Sequence, residues 1–302
     1  MGKFLPSYLK LYESGELKER IELLKEKLRE CTVCPHHCKV NRLAGERGYC
    51  KTPYRVRVAS AFLHRGEERP IRGYRGSGTI FFSYCNMGCV FCQNYDISQL
   101  GEGVDITPKE LANIMLQLQE EGAHNINLVT PSHVVPQIVE TLHYAVQRGL
   151  RIPLVYNTSS YDDIETLKLL DGIADIYLAD LKYLDEEKAR KYSRVKNYPS
   201  VAKAAIKEMY RQVGNLKTDP QGVAYRGLLV RHLVMPSDVS TSFRVVDFLS
   251  SLGKGLTVNV MGQYFPFYRA KEYPEIARPV FPWEVERVKE YARQKGLVLV
   301  ED

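Results

Sequence analysis

The feature that most constrains this chain is the placement of its cysteines. All seven lie between residues 31 and 92, and residues 93–302 contain none. An odd number of clustered cysteines argues against a disulfide framework. Residues 1–10 also lack an apolar signal core. The pattern predicts metal ligation by thiolates in a reducing compartment, and we expect a cytoplasmic protein.

The composition excludes several classes of protein. A chain of 302 residues with 44% hydrophobic content can bury a large core. No run of 18 apolar residues is present, so we expect no membrane span. The formal charge of +6 is spread along the chain without a basic tail, so a nucleic-acid partner is not indicated.

Residues 1–75 are predicted to form an N-terminal helix and a Cys-rich metal-binding extension. The apolar residues Leu17, Ile21, Leu24 and Leu28 recur at helical spacing among charged residues. Residues 31–50 then bring together four cysteines, two histidines and two glycines, a composition that favours an irregular loop.

Residues 76–302 alternate short apolar strands with amphipathic helices, which predicts a parallel sheet with helical crossovers. Thr107 and Glu110 form a capping box for the helix after the first strand. Six strand–helix units, fewer than the eight of a closed barrel, predict an α/β fold with a partial (β/α)6 TIM-like barrel. The predicted strands are Thr79–Tyr84, Asn125–Val129, Pro153–Asn157, Asp175–Asp180, Gly227–Val234 and Leu256–Met261.

The loop after the first strand carries three cysteines at CxxxCxxC spacing: Cys85, Cys89 and Cys92. Structural zinc normally takes four ligands, and this loop has no obvious local fourth. Three thiolates can instead hold three irons of a [4Fe-4S] cubane and leave the fourth iron open. An open iron can chelate the amine and carboxylate of S-adenosylmethionine (SAM).

With this motif, which includes Phe91 before the last cysteine, the chain resembles the radical SAM superfamily. Within that superfamily it resembles the group of pyruvate formate-lyase activating enzymes, over about residues 76–270. The resemblance implies SAM bound across the C-terminal edges of the strands. It also implies reductive cleavage of SAM to a 5′-deoxyadenosyl radical, with a flavodoxin or ferredoxin as the electron donor.

The resemblance also implies which strand-end residues contact SAM. Asp180 and Lys182 match an Asp-Leu-Lys motif of the activating enzymes, and Asn157 stands at a polar ribose contact. Arg231 matches an arginine of the fifth-strand motif that ends in proline. Gln263 lies near the place where the group has a histidine close to SAM. No residue that handles the substrate radical is identified.

The second strand departs from the family pattern. Most members have a Gly-Gly-Glu type motif that receives the SAM amine, whereas this chain has Val129-Thr130-Pro131-Ser132-His133. The backbone carbonyls of Thr130 and Pro131 are the expected replacement. His133 is either a catalytic base or a residue that opens a helix.

The N-terminal extension supplies four more thiols within twenty residues, namely Cys31, Cys34, Cys38 and Cys50. Four ligands make a closed site, so we expect a second metal centre. Tetrahedral zinc and an Fe-S cluster both satisfy this donor set, and His36 or His37 is a candidate to replace one cysteine in a zinc site.

The sequence leaves the substrate open. An activating enzyme would abstract hydrogen from a glycine of a partner glycyl radical enzyme, and the alternative is direct modification of a small molecule or peptide. The aromatic run 264–268 is a candidate lining for a substrate opening. A further alternative is a non-catalytic Fe-S or zinc protein in electron transfer or nucleic-acid binding.

Overall fold

A single mixed sheet organises the chain, for which a computed structural model describes residues 4–300. It is built on a parallel series of strands, with antiparallel additions. The strands are β1 (Val56–His64), β2 (Ser77–Phe82), β3 (Val104–Ile106), β4 (Ile126–Val129), β5 (Leu154–Thr158), β6 (Ile176–Asp180), β7 (Lys217–Thr218), β8 (Ala224–Leu233), β9 (Thr257–Met261) and β10 (Val298–Leu299).

Helices connect these strands. Within residues 4–300, none of them has the length and apolar character needed to cross a membrane. The helices are α1 (Tyr8–Ser14), α2 (Glu16–Arg29), α3 (Arg69–Arg72), α4 (Pro108–Glu120), α5 (Val135–Gln147), α6 (Ile164–Lys168), α7 (Glu186–Lys188), α8 (Tyr198–Val213), α9 (Ser242–Ser250) and α10 (Pro282–Gln294).

The sheet is an open, partial barrel, as predicted. Its order is β10-β9-β8-β6-β5-β4-β2-β1-β3, and β7 pairs with β8 off this path. Neighbours from β10 to β2 are parallel, whereas β1 pairs antiparallel with both β2 and β3. All six predicted strands are present. The two end strands of the path, β10 and β3, do not pair with each other, so the barrel remains open.

The capping box predicted for α4 is present. Thr107 Oγ1 accepts a hydrogen bond from the Glu110 backbone N–H at 3.3 Å, and Glu110 Oε2 accepts one from the Thr107 N–H at 2.7 Å. These bonds satisfy two backbone donors at the start of the helix. The helix buries Leu111, Met115 and Leu118 against the sheet side, in agreement with the apolar stripe in the sequence.

The N-terminal segment packs against the barrel and supplies one of its strands. The apolar face of α2 is buried, and this helix packs on α5. After the Cys-rich stretch, β1 pairs with β2 from Val58 opposite Phe82 to His64 opposite Ser77. Neither β1 nor β3 was predicted from the sequence.

The segment after β1 enters the inside of the open barrel. There, Ile71 of α3 is fully buried against Val155, Ile176, Leu178 and Leu229, which belong to three neighbouring parallel strands. This small cluster is separate from the main core, in which the crossover helices pack on the other face of the sheet. Apolar side chains therefore fill one layer of the barrel interior. The polar side chains of the interior lie nearer the C-terminal ends of the strands.

Candidate active site

The loop that carries Cys85, Cys89 and Cys92 follows β2 at the C-terminal edge of the sheet. Tyr84 has φ of 65°, so the chain turns sharply as it leaves the strand. Two backbone bonds then hold the loop: Gly88 N–H donates to Ser193 O at 2.9 Å, and Val90 N–H donates to Tyr192 O at 2.8 Å. The three thiols are thus presented from one anchored loop.

Each of the three sulfurs has a polar neighbour. Cys89 Sγ lies 3.0 Å from the hydroxyl of Ser193, and Cys92 Sγ lies 3.2 Å from that of Ser98. The backbone N–H of Met87 donates to Cys85 Sγ at 3.3 Å. Hydrogen bonds to ligating thiolates stabilise their negative charge and tune a bound Fe-S cluster. Neither serine was predicted from the sequence.

The donor set suits a thiolate-bound metal centre. Burial raises the pKa of Cys89 to about 11, while Lys182 opposes that rise, and burial together with Cys89 raises the pKa of Cys85 further. A metal ion must therefore displace protons as it binds. Among residues 4–300, no three His, Cys, Asp or Glu side chains stand at metal-binding spacing.

Four of the predicted SAM contacts meet in one polar network at the strand ends. Arg231 Nε donates to Asp180 Oδ1 at 2.8 Å, and Arg231 Nη2 donates to Asn157 Oδ1 at 2.7 Å. Lys182 Nζ donates to Asp180 Oδ2 at 2.9 Å. The sheet register explains the contact, because Asp180 and Arg231 are paired residues on β6 and β8.

The network keeps its members charged. Burial favours the neutral form of Asp180, but Arg231 and Lys182 outweigh it and lower the pKa of this carboxyl to about 2. Burial likewise opposes the charge of Lys182, whereas Asp180 and Cys89 raise its pKa above the ordinary value. A carboxylate, an ammonium and a guanidinium thus lie at the strand ends, with the ammonium close enough to Cys89 to influence it.

The remaining predicted SAM contacts lie around this network rather than in it. Thr130 has φ of 59° and donates its N–H to Asn157 O at 2.9 Å, while the carbonyl of Pro131 accepts from the Val134 N–H. Gln263 is exposed after β9. Its carbonyl accepts from Gln93 of the cysteine loop at 3.2 Å, and it lines a cavity of about 390 Å³.

His133 has a structural position. It is fully buried, and its Nε2 lies 3.0 Å from Ser83 O at the start of the cysteine loop. Burial, followed by the charge of Arg42, lowers the pKa of His133 to about 4. The neutral imidazole donates to the Ser83 carbonyl and supports the loop from the inside of the protein.

Two carboxyl groups that were not predicted lie below the strand-end network. Glu67 Oε1 accepts from Asn127 at 3.1 Å, and its other oxygen lies 3.6 Å from Arg231 Nη1. Glu68 Oε1 accepts from Asn259 of β9 at 3.0 Å. The segment after β1 thereby spans the barrel interior and gives Arg231 a third contact. No local motif identifies this segment in the sequence.

The four N-terminal thiols are gathered by a tight loop. Backbone bonds run from Cys31 N–H to Val40 O at 2.9 Å and from Lys39 N–H to Cys31 O at 3.1 Å. A Cβ on Gly48 would stand 2.7 Å from Cys38 Sγ, so only glycine allows this close approach. Burial raises the pKa of Cys34, and the charge of Cys50 adds to the rise. The donor chemistry of four neighbouring thiols suits a closed metal site.

The two neighbouring histidines each have a partner outside this donor set. His36 Nε2 lies 2.8 Å from Asn86 O in the other cysteine loop, and His37 Nε2 lies 2.9 Å from Asp163 Oδ2. The four sulfurs are therefore the first candidate donors, and replacement of one cysteine by His36 or His37 stays a prediction.

Comparison with known proteins identifies one relative of nearly the whole chain and one of about half of it. The protein called Uncharacterized protein MJ0674 of Methanocaldococcus jannaschii is 35% identical over 293 residues, which cover 94% of this chain and 80% of the relative. A second protein of that organism, Uncharacterized protein MJ0808, is 24% identical over 166 residues, covering 49% of this chain and 48% of the relative.

Solved structures with a similar arrangement include methylornithine synthase (PylB), with a TM-score of 0.47 and 17% identity over 73% of this chain and 63% of that one. TYW1 with a lysine-pyruvate adduct bound has a TM-score of 0.44 and 9% identity, and the match covers 72% of this chain and 73% of that one. The family model described as the radical SAM superfamily matches residues 79–218, a range that contains the CxxxCxxC loop and the Asp180–Lys182 pair. Over this range, which is 140 of the 302 residues, the chain is therefore similar to the radical SAM superfamily.

Proposed function

We propose that this protein cleaves SAM reductively and uses the resulting 5′-deoxyadenosyl radical to abstract a hydrogen atom from a substrate. The observation that carries this proposal is the position of the three-thiol loop beside the charged strand-end network. Lys182 is close enough to Cys89 to influence its pKa, and it is ion-paired to Asp180. A cofactor held by the thiols would therefore adjoin groups that can bind a zwitterionic ligand.

Each part of the site has a role in this proposal. Cys85, Cys89 and Cys92 would hold three irons of a [4Fe-4S] cluster, which when bound supplies the electron that splits the SAM sulfonium. The strand-end network of Asn157, Asp180, Lys182 and Arg231 would orient the polar groups of SAM. Val90 and Phe91, both buried, exclude water from the loop. A flavodoxin or ferredoxin in a reducing cytoplasm would supply the electron.

The candidate substrates remain a glycine of a partner glycyl radical enzyme and a small molecule or peptide. Exposed aromatic side chains near the cysteine loop favour a large partner: Phe265, Phe267 and Tyr268 follow β9, and Tyr268 stacks on Tyr95 at 4.9 Å. This segment is bonded to the loop through the Arg269 N–H and Val90 O. Aromatic side chains of this kind are common in binding surfaces.

The central proposal is tested under strict anaerobiosis. Protein reconstituted with iron and sulfide, then reduced with dithionite in the presence of SAM, is expected to form 5′-deoxyadenosine and methionine. A fully loaded [4Fe-4S] protein that neither binds SAM nor forms deoxyadenosine would contradict the proposal and favour the electron-transfer alternative. A glycyl radical signal in a co-expressed partner would select the activating function over small-molecule chemistry.

We also propose a second metal centre, either zinc or an Fe-S cluster, at Cys31, Cys34, Cys38 and Cys50. The Cys34→Ala variant removes a buried ligand of a closed four-thiol site, so we expect loss of the metal bound there. Elemental analysis of protein that also lacks the Cys85, Cys89 and Cys92 thiols separates this metal from the first centre. Absence of zinc and iron from protein that keeps all four N-terminal thiols would rule the second centre out.

A further inference from the structure

One residue, Tyr49, touches both groups of thiols. Its backbone N–H donates to Cys38 Sγ at 3.3 Å, within the N-terminal group. Its phenol reaches the other loop, where a Cβ on Gly88 would stand 3.0 Å from Tyr49 Oη. The phenol therefore packs closely on Gly88, between Cys85 and Cys89, where a larger residue would have to displace it.

His36 makes a second connection between the two groups. It lies between Cys34 and Cys38 in the chain, and its ring stacks on that of Tyr49 with centroids 3.8 Å apart. Its Nε2 lies 2.8 Å from the carbonyl of Asn86, which directly follows Cys85. The stacked pair thus contacts both Asn86 and Gly88 in the segment between two predicted iron ligands.

The far side of the same segment is held by the barrel. Asn86 is fully buried, and its Nδ2 donates to the carbonyl of Tyr161 at 2.6 Å. The ring of Tyr161 packs edge-on against His36 at 5.5 Å. The segment from Asn86 to Gly88 is therefore clamped between the barrel and the stacked pair, so displacement of the pair removes one of its two supports.

The position of the stacked pair depends on the N-terminal thiols. Tyr49 precedes Cys50 directly, and His36 is two residues from both Cys34 and Cys38, so ligation of those sulfurs ties both side chains in place. Residues 31–41 and 45–55 form no helix or strand, so their backbone is held only by local hydrogen bonds within the loop. A bound metal removes conformational freedom that an irregular loop otherwise keeps.

We propose that Tyr49 and His36 are positioning residues that couple metal loading of the N-terminal site to the shape of the Cys85–Cys92 loop. SAM binding then depends on a metal that does not itself contact SAM. This inference rests on the proposed second metal centre. The coupling runs through side-chain packing and hydrogen bonds, so it holds for zinc and for an Fe-S cluster alike.

The test is a double-mutant cycle with Cys34→Ala and Tyr49→Ala. The dissociation constant of SAM is measured on anaerobically reconstituted protein, and deuterium uptake is followed in the peptide that spans residues 85–92. We expect each single variant to weaken SAM binding about tenfold and the double variant to be no worse than either. Both single variants should also speed deuterium uptake in this peptide.

Two further variants separate positioning from general damage. Tyr49→Phe keeps the ring stacked on His36 and loses only the bond from the phenol to Arg194 O at 3.4 Å. We expect it to stay within about threefold of the wild type. Tyr74→Ala, which removes an exposed tyrosine before β2, is expected to leave SAM binding unchanged.

The outcomes separate this inference from the proposals it rests on. Additive effects of Cys34→Ala and Tyr49→Ala, or metal loss in Cys34→Ala without change in the 85–92 peptide, overturn the coupling. Absence of bound zinc and iron from protein that keeps the four N-terminal thiols refutes the second centre and the coupling with it. Absence of SAM cleavage refutes the catalytic proposal alone, because deuterium uptake reports the coupling without SAM.

Discussion

Replacement of Cys85, Cys89 or Cys92 by alanine, one at a time, is expected to reduce deoxyadenosine formation to background. With only two thiolates left, the loop no longer holds three irons of a cubane, so we expect loss of the cluster rather than weaker binding of it. We expect a fall in rate of at least about a thousandfold, which is more than 4 kcal/mol of activation free energy. Single-turnover assays with dithionite measure it.

Asn94→Ala is the matched control for these variants. Asn94 lies two residues after Cys92 in the same loop, and it is exposed. Its replacement tests whether the loop tolerates a truncation that removes no thiol, and we expect normal iron content and normal deoxyadenosine yield. Substantial cleavage by any of the three cysteine variants would mean that another residue completes the site.

The parallel part of the fold could be predicted from local patterns. Each of the six strands is a short run of apolar residues, because a parallel strand is buried on both faces of the sheet. Each run is followed by a helix whose apolar residues recur at helical spacing. The antiparallel strand β1 was missed because only Val56 and Val58 in its nine residues are buried. The other seven residues mix small, polar and large apolar side chains without a sustained alternation, so the pattern does not indicate a strand.

The site was predicted where chemistry is local and missed where it is brought together by packing. The cysteine triad stands in eight consecutive residues. Asp180 and Arg231 were predicted from the resemblance to the activating enzymes, and the parallel register explains why they meet. Ser193 approaches Cys89 from 104 residues away, through an irregular segment with no motif. Glu67 reaches Arg231 only because the unpredicted β1 directs the chain back through the barrel interior.

The position of Arg231 among three polar partners leads to a large expected effect on stability. Arg231→Met keeps most of the side-chain volume but leaves Asp180 and Glu67 without the cation that now contacts both at 2.8 and 3.6 Å. Only 17% of the Arg231 side chain is exposed. Removal of one partner from a buried ion pair typically costs 3–5 kcal/mol, so we expect a loss of about 3 kcal/mol at pH 7.

Chemical denaturation of the metal-free protein measures this loss, and Arg293→Met is the matched control. Arg293 pairs with Glu286 at 3.0 Å, but both side chains are more than half exposed. Exposed pairs contribute about 0–1 kcal/mol, so the control should change the free energy of unfolding by less than about 1 kcal/mol. Equal effects of the two substitutions would contradict the assignment of Arg231 as the centre of a buried network.

The effect of Arg231→Met is expected to shrink in acid. The pKa of Asp180 is lowered from 3.8 to about 2 in the folded protein, so its contacts stabilise the wild type fully above pH 3.8. That contribution is lost as the pH falls toward 2.

In the variant, Asp180 keeps only Lys182 as a cationic partner, so its pKa is higher than in the wild type. Protonation of Asp180 then removes part of the cost of its weakly compensated charge. The wild type therefore loses stability in acid while the variant is partly relieved, and the difference should narrow below pH 4. A constant or widening difference would show that Arg231 stabilises the fold through packing rather than through its charge.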